Sequence, residues 1–178
     1  PVVSAALTQN VHGIQLLLAS NEWKDVELVY ATNKLEAVLS NLPTLASLVV
    51  LDIGTSFHPS FSVICEYCDE IILVTEPQPT AAKSTQELAH ALRNTICDTT
   101  KPLTIITLNR AHSDLKLSLS EVEQIVGQPV ALGFPPSVEL AFQAAEHFIP
   151  LIIAQPDGVY AQLFGQLAQQ LKQREPGS

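Results

Sequence analysis

Four consecutive apolar residues, Leu48-Val49-Val50-Leu51, stop on the lone carboxylate of Asp52, with Ile53 and Gly54 behind it. A strand with one wet face alternates apolar and polar residues. An unbroken run is what a strand covered on both faces requires. The pattern returns in Ile71-Ile72-Leu73-Val74-Thr75, which exits through Glu76-Pro77-Gln78-Pro79; Pro102 precedes a third strand, Leu103 to Leu108, which ends on Asn109-Arg110. Pro129-Val130-Ala131-Leu132-Gly133-Phe134 repeats it and is cut off by Pro135-Pro136. Proline cannot donate to a ladder, so the prolines fix where two of these strands end. Gly13 to Ser20 reads as a shorter buried strand, and Val26 to Tyr30 as strand or loop.

Helical signals fill the intervals. Thr32 or Asn33 can cap a helix carrying Leu35, Val38, Leu39 and Leu42, with Pro43 near its end. Thr55 to Pro59 reads as a loop before a short helix over Ser60 to Tyr67. Thr80 is placed to cap a helix from about Ala81 to Thr95, with Leu88, Ala89 and Leu92 inward. Ser118 and Glu121 form a capping box, and Gly127 stops the helix they open. Ser137 opens a helix through Ala145, and Leu151-Ile152-Ile153 is a short apolar run. Pro156-Asp157-Gly158 turns into a last helix with Tyr160, Leu163, Phe164, Leu167 and Leu171 on one side, after which Arg174 to Ser178 should fray. Strands alternating with helices predict an α/β domain over 1–178, a mostly parallel sheet with helices on both faces.

Apolar residues make up 47% and charged residues 15% of the 178, which favours a packed core over disorder. Nine Lys and Arg stand against 18 Asp and Glu, for a net charge of −9. That balance repels phosphate backbones and anionic membranes, so neither nucleic acid nor a membrane surface is an expected partner. No apolar stretch approaches the roughly 18 residues of a membrane span, and no charged segment opens a signal peptide. Three cysteines do not read as a disulfide framework, which points to a reducing cytoplasm. With no methionine, the chain is expected to be a fragment or a processed product. None of the seven glycines neighbours another and none precedes lysine, so neither GxxxxGK[ST] nor GxGxxG occurs.

Ligands of open parallel sheets sit past the carboxyl ends of the strands. Asp52 there is either an acid for a Mg²⁺-nucleotide site or the cap of the next turn. Cys65-Glu66-Tyr67-Cys68 is a C-x-x-C, but it ends a helix before a strand, whereas redox versions open a helix after one. Small structural cysteines are the expectation. The five histidines are scattered, and Glu121 and Glu123 fall on different helix sides, so capping and solvation explain them.

Taken in order, Leu48 to Gly54, Cys68 to Pro77, Thr104 to Arg110, and Leu119 to Glu123 running to Val130 and Phe134-Pro135 resemble the ParA/MinD family of deviant-Walker-A P-loop ATPases. Among its branches, the CpaE-type proteins of Flp pilus assembly are the most similar. The resemblance covers roughly 13–172 and implies a P-loop NTPase-like, SIMIBI-type fold that is incomplete, since the N-terminal phosphate-loop part has no counterpart. It implies that Asp52 is the Walker B acid touching the hydration shell of Mg²⁺ and Gly54 a switch II position. It likewise implies that Asn109 reads the adenine edge with Arg110 beside it, and that Phe134 and Pro135 line the base. An intact relative would bind ATP and Mg²⁺ and dimerise around them. Without amides and a lysine to cradle phosphates, this chain alone is expected to bind no cofactor and not to hydrolyse ATP.

Three functions follow as expectations. The first is a non-catalytic regulatory or scaffolding module in subcellular positioning or pilus assembly, partnered by a second copy or by a domain of the same parent. The second is a trimmed piece of an active ATPase. The third is a receiver-like interaction domain with Asp52 as phosphoacceptor, which lacks the early acidic pair. In the ParA/MinD arrangement the phosphate-loop strand lies between the strand ending at Asp52 and strand 71–75. Those two strands must then pair directly or take a partner segment, because buried unpaired edges are too costly. The last helix resembles the region of the MinD membrane anchor, but its polar face carries glutamines, so docking on its own domain is expected.

Overall fold

The computed structural model describes residues 7, 12–18, 20, 22, 30–54, 60–96, 100–110 and 115–174, without the side chains of 95 and 96. The chain divides into two compact units, residues 1–69 with 95–100, and residues 70–94 with 101–178.

In the first unit, α1 (Thr32–Leu39) packs on α2 (Phe61–Tyr67), burying Leu39, Phe61, Ile64 and Cys65. Ala31 takes the N-cap position of α1 without a side-chain bond, while Asn33 Oδ1 accepts from the Lys34 amide at 2.9 Å. The expected strand at 48–52 is absent: these residues join no ladder, and Leu48 and Val50 are 71% and 84% exposed. Residues 12–18 form no part of the sheet either, and Ile14 to Leu18 include large exposed side chains. An apolar run acquires strand geometry only when neighbouring strands take its amides and carbonyls, and periodicity says nothing about those neighbours. The segments expected at 26–29 and 55–59 lie outside the described residues.

The second unit holds a parallel three-stranded sheet, β1 (Ile71–Thr75), β2 (Leu103–Leu108) and β3 (Val130–Phe134), in the order β1-β2-β3. Register runs Leu73↔Ile105 and Thr75↔Thr107 on one side and Ile106↔Leu132 and Leu108↔Phe134 on the other, with one irregularity between Ile105 and Ile106. β2 is central, so Thr104 to Thr107 are all buried, as a doubly covered strand should be. These strands fall where the apolar runs place them.

One face is covered by α3 (Pro79–Ala91) and α4 (Leu119–Val126), which bring Ala82, Ala89, Val122 and Val126 into the core. α3 starts two residues earlier than expected, with Gln78 as N-cap and Pro79 at the first position, where proline's missing amide costs nothing. Its end relaxes into a π-turn over Leu92–Ile96. The capping box of α4 is present: Ser118 Oγ accepts from the Glu121 amide at 3.3 Å, and Glu121 Oε2 accepts from the Ser118 amide at 2.8 Å. Gly127 closes α4 at φ 76°, a left-handed position that favours glycine.

On the other face, α7 (Val159–Lys172), reached through α5 (Val138–Glu146) and α6 (Leu151–Ala154), lays Leu167 on Ile106 and Phe134. Its cover stops short of β1. Val74 is 59% exposed while its ladder partner Ile106 is 8% exposed. Among the described residues β1 pairs with β2 alone, so its outer edge carries no strand. Arg174 is tied down rather than frayed, held by Glu70 and Thr104, and 175–178 lie outside the described residues. No helix among the described residues is long and apolar enough to cross a membrane.

Candidate functional site

Parallel order brings the carboxyl ends of β1, β2 and β3 to one rim, the position where such sheets hold ligands. Three pairs of residues stand there: Thr75-Glu76, Asn109-Arg110 and Phe134-Pro135. The Asn109 amide donates to the Phe134 carbonyl at 3.0 Å, which carries the ladder one residue beyond β2 and fixes the asparagine at the rim. Asn109 is half-buried, and its amide side chain offers a donor and an acceptor together.

Arg110 Nη2 meets Glu76 Oε1 at 2.5 Å, with the arginine largely exposed. The second Glu76 oxygen accepts from Gln78 Nε2 at 3.2 Å, and the Pro77 carbonyl accepts from the Leu117 amide at 2.9 Å. The rim therefore pairs its guanidinium with a carboxylate. An incoming phosphate would have to displace Glu76 to reach that charge.

The Phe134 ring departs from the expected base-lining role. It is 4% exposed and packs at 4.9 Å from Phe164 and 5.6 Å from Tyr160, so no face remains for a stacked base. Pro135 is exposed, and its carbonyl accepts from the Tyr160 hydroxyl at 2.5 Å. Burial pushes the Tyr160 phenol above its usual pKa, which keeps it protonated and donating.

Asp52 and Gly54 belong to the first unit. Asp52 Oδ1 accepts from the Gly54 amide at 3.0 Å, and Gly54 sits at φ 69°. This is the turn-capping role weighed at the outset, with the carboxylate exposed. An exposed carboxylate retains an oxygen that fits a water of a hydrated Mg²⁺. The base side fits less well: Asn109 and Pro135 stand at the rim, but the Asn109 Nδ2 is buried and Phe134 is withdrawn.

No group of three or more His, Cys, Asp or Glu able to hold a metal occurs among the described residues. Cys65 is buried and disulfide-bonded, whereas Cys68 is not, so the C-x-x-C cysteines are not bonded to each other. Cys65 thus departs from the expectation that the cysteines form no disulfide framework, while its burial fits the small structural cysteine expected there. Glu76, Tyr160 and Glu123 were not singled out for these contacts. Each reaches a partner through the fold, and only Glu123, seven residues from Val130, lies within range of a local signal.

No family model matches the chain, and no curated protein sequence does. Solved structures do. The ParA family ATPase from Chlorobium tepidum TLS superposes with a TM-score of 0.83 at 14% identity, covering 94% of this chain and 69% of that one. The septum site-determining protein MinD complexed with Mg-ADP from Pyrococcus horikoshii OT3 gives 0.77 at 18% identity, covering 95% and 68%. The cell division ATPase MinD of Pyrococcus furiosus gives 0.78 at 17%, covering 96% and 70%. The chain thus has the α/β fold of these ParA and MinD ATPases, over about two thirds of their length.

Proposed function

We propose that this chain is a ParA/MinD-like domain of the CpaE-type branch that does not itself hydrolyse ATP. It serves as a regulatory or scaffolding part of subcellular-positioning or pilus-assembly machinery, with a second copy or a domain of the same parent as partner. The fold likeness supports the ATPase-type ancestry, and one of its neighbours was solved with Mg-ADP. The observation that carries the non-catalytic reading is the Arg110–Glu76 pair at 2.5 Å on the strand-end rim. It neutralises a cation on that rim, in a sequence with no glycine-rich phosphate loop. A nucleotide on the strand-end rim of the second unit would meet Asn109, Arg110 and Pro135; Asp52 of the first unit, with Gly54 behind it, keeps the proposed role of an acid acting on Mg²⁺ through water. Cytoplasmic action belongs to this proposal through the class of machinery and not through the cysteines.

Calorimetric titration of the chain with ATP and Mg²⁺ tests it. No saturable heat beyond that given by inorganic phosphate is expected, and tight ATP binding that phosphate does not reproduce would overturn the reading. A second reading, a piece of a longer active ATPase, draws on the outer edge of β1, which takes no strand among the described residues. A phosphate-loop motif encoded upstream in the same gene would decide for it.

A further inference from the structure

The opposite rim of the sheet, at the amino ends of β2 and β3, carries a pocket of about 350 Å³. β2 separates it from Asn109 by about 20 Å, at 3.3 Å per residue over the strand. Two arginines line it, Arg93 from the π-turn after α3 and Arg174 from the end of α7. Arg174 Nη1 donates to Glu70 Oε1 at 2.6 Å and to Thr104 Oγ1 at 2.7 Å. The Thr104 hydroxyl, 3% exposed, donates to the same Glu70 oxygen at 2.5 Å. This network holds the guanidinium against the pocket wall through one nitrogen. Nη2 and Nε donate to no protein partner among the described residues, so part of the fork is left unengaged in a residue that lines the pocket. Arg93 Nη2 donates to Gln128 Oε1 at 2.9 Å, a neutral partner, and it meets no carboxylate among the described residues.

Among the described residues, two guanidinium groups stand against one carboxylate here, a positive balance in a chain whose net charge is −9. Guanidinium forks match the planar or tetrahedral oxygens of carboxylate and phosphate. Leu103 and Pro129 supply an apolar wall beside the charges. We infer that this pocket binds a small oxyanion, a phosphoryl or carboxylate group held between Arg93 and Arg174, with a short body against Leu103 and Pro129. It is separate from the strand-end rim and does not depend on the nucleotide reading.

The test is calorimetric titration of the whole chain with inorganic phosphate and, separately, with succinate, at constant ionic strength set by chloride. Saturable one-site binding of at least one probe is expected. Phosphate alone identifies a phosphoryl pocket, and succinate alone a carboxylate pocket. Arg93→Gln should weaken binding about tenfold or more, as expected for a lost charge-assisted hydrogen bond, while the circular dichroism spectrum stays unchanged. Arg174→Lys keeps the charge and loses the fork, and should weaken binding with the fold retained. Absence of saturable binding by either probe, or equal affinity in Arg93→Gln, overturns the inference.

Discussion

Replacing Phe134 with alanine separates a packing residue from a ligand-facing one. The ring is 4% exposed, touches the cluster of Ile106 and Leu167, and makes tilted contacts with Tyr160 and Phe164 at 5.6 and 4.9 Å. Burying a phenyl side chain contributes about 1.5–3 kcal/mol, and each such ring pair adds about 0.5–1.5 kcal/mol. With the cavity left behind, Phe134→Ala should cost about 3–5 kcal/mol. For a urea dependence of about 2 kcal/mol per molar, the unfolding midpoint should fall by roughly 2 M. Near-ultraviolet circular dichroism during urea titration reads this directly, because three of the rings lie in the cluster. Phe142→Ala, on an exposed side chain of α5, is the control and should change stability by less than about 0.5 kcal/mol. A loss below about 1 kcal/mol for Phe134→Ala would show that the ring does not anchor α7 on the sheet. The base-lining role would then regain its claim on Phe134.

Ser118→Ala should cost about 1 kcal/mol through loss of the N-cap of α4, measured by chemical unfolding. Backbone and side-chain hydrogen bonds from Ser118 hold Glu121 below its ordinary carboxylate pKa. A lowered folded-state pKa contributes stability that is present above the unfolded value and is lost as pH falls through the folded one. Glu121→Gln should therefore flatten the acid limb of a midpoint-versus-pH profile, and an unchanged limb would show that the box carries no linkage. Phe148 sits at φ 54° after α5, where its amide and that of Ile149 bond back to Ala145 and Ala144 at 3.1 and 3.0 Å. The side chain is 89% exposed, so Phe148→Gly relieves a left-handed backbone with little burial lost, and thermal unfolding should show a gain of about 1 kcal/mol.

The second unit was the legible part. Its strands are largely apolar runs, two of them with prolines at their exits, and the α4 cap is written in Ser118, Glu121 and Gly127 within a span of ten residues. These are local signals, and the backbone obeys them. Leu48 to Leu51 has the same composition and forms no strand, because a buried strand also needs partners that its own residues cannot supply. Asp52 shows the limit at the level of a side chain. Its position before Gly54 allows a metal-site acid and a turn cap alike, and only the 3.0 Å bond to the Gly54 amide shows the cap to be formed. Phe134 and Arg110 were read by neighbours in sequence. Their partners, Phe164 and Glu76, lie 30 and 34 residues away, and spacing carries no information at that range.

Glu123 serves both ends of the turn between α4 and β3. Its carbonyl accepts from the Gly127 amide at 2.8 Å, and its Oε1 accepts from the Val130 amide at 2.9 Å. One residue thus stops the helix and starts the strand, with Gly127, Gln128 and Pro129 spanning the interval. The length of that connection is set by the reach of a single side chain. Adding or removing one residue would force the carboxylate to release Val130 or the helix to give up its last turn. Indel tolerance across this loop should accordingly be as low as inside a helix, although the segment itself is exposed and short.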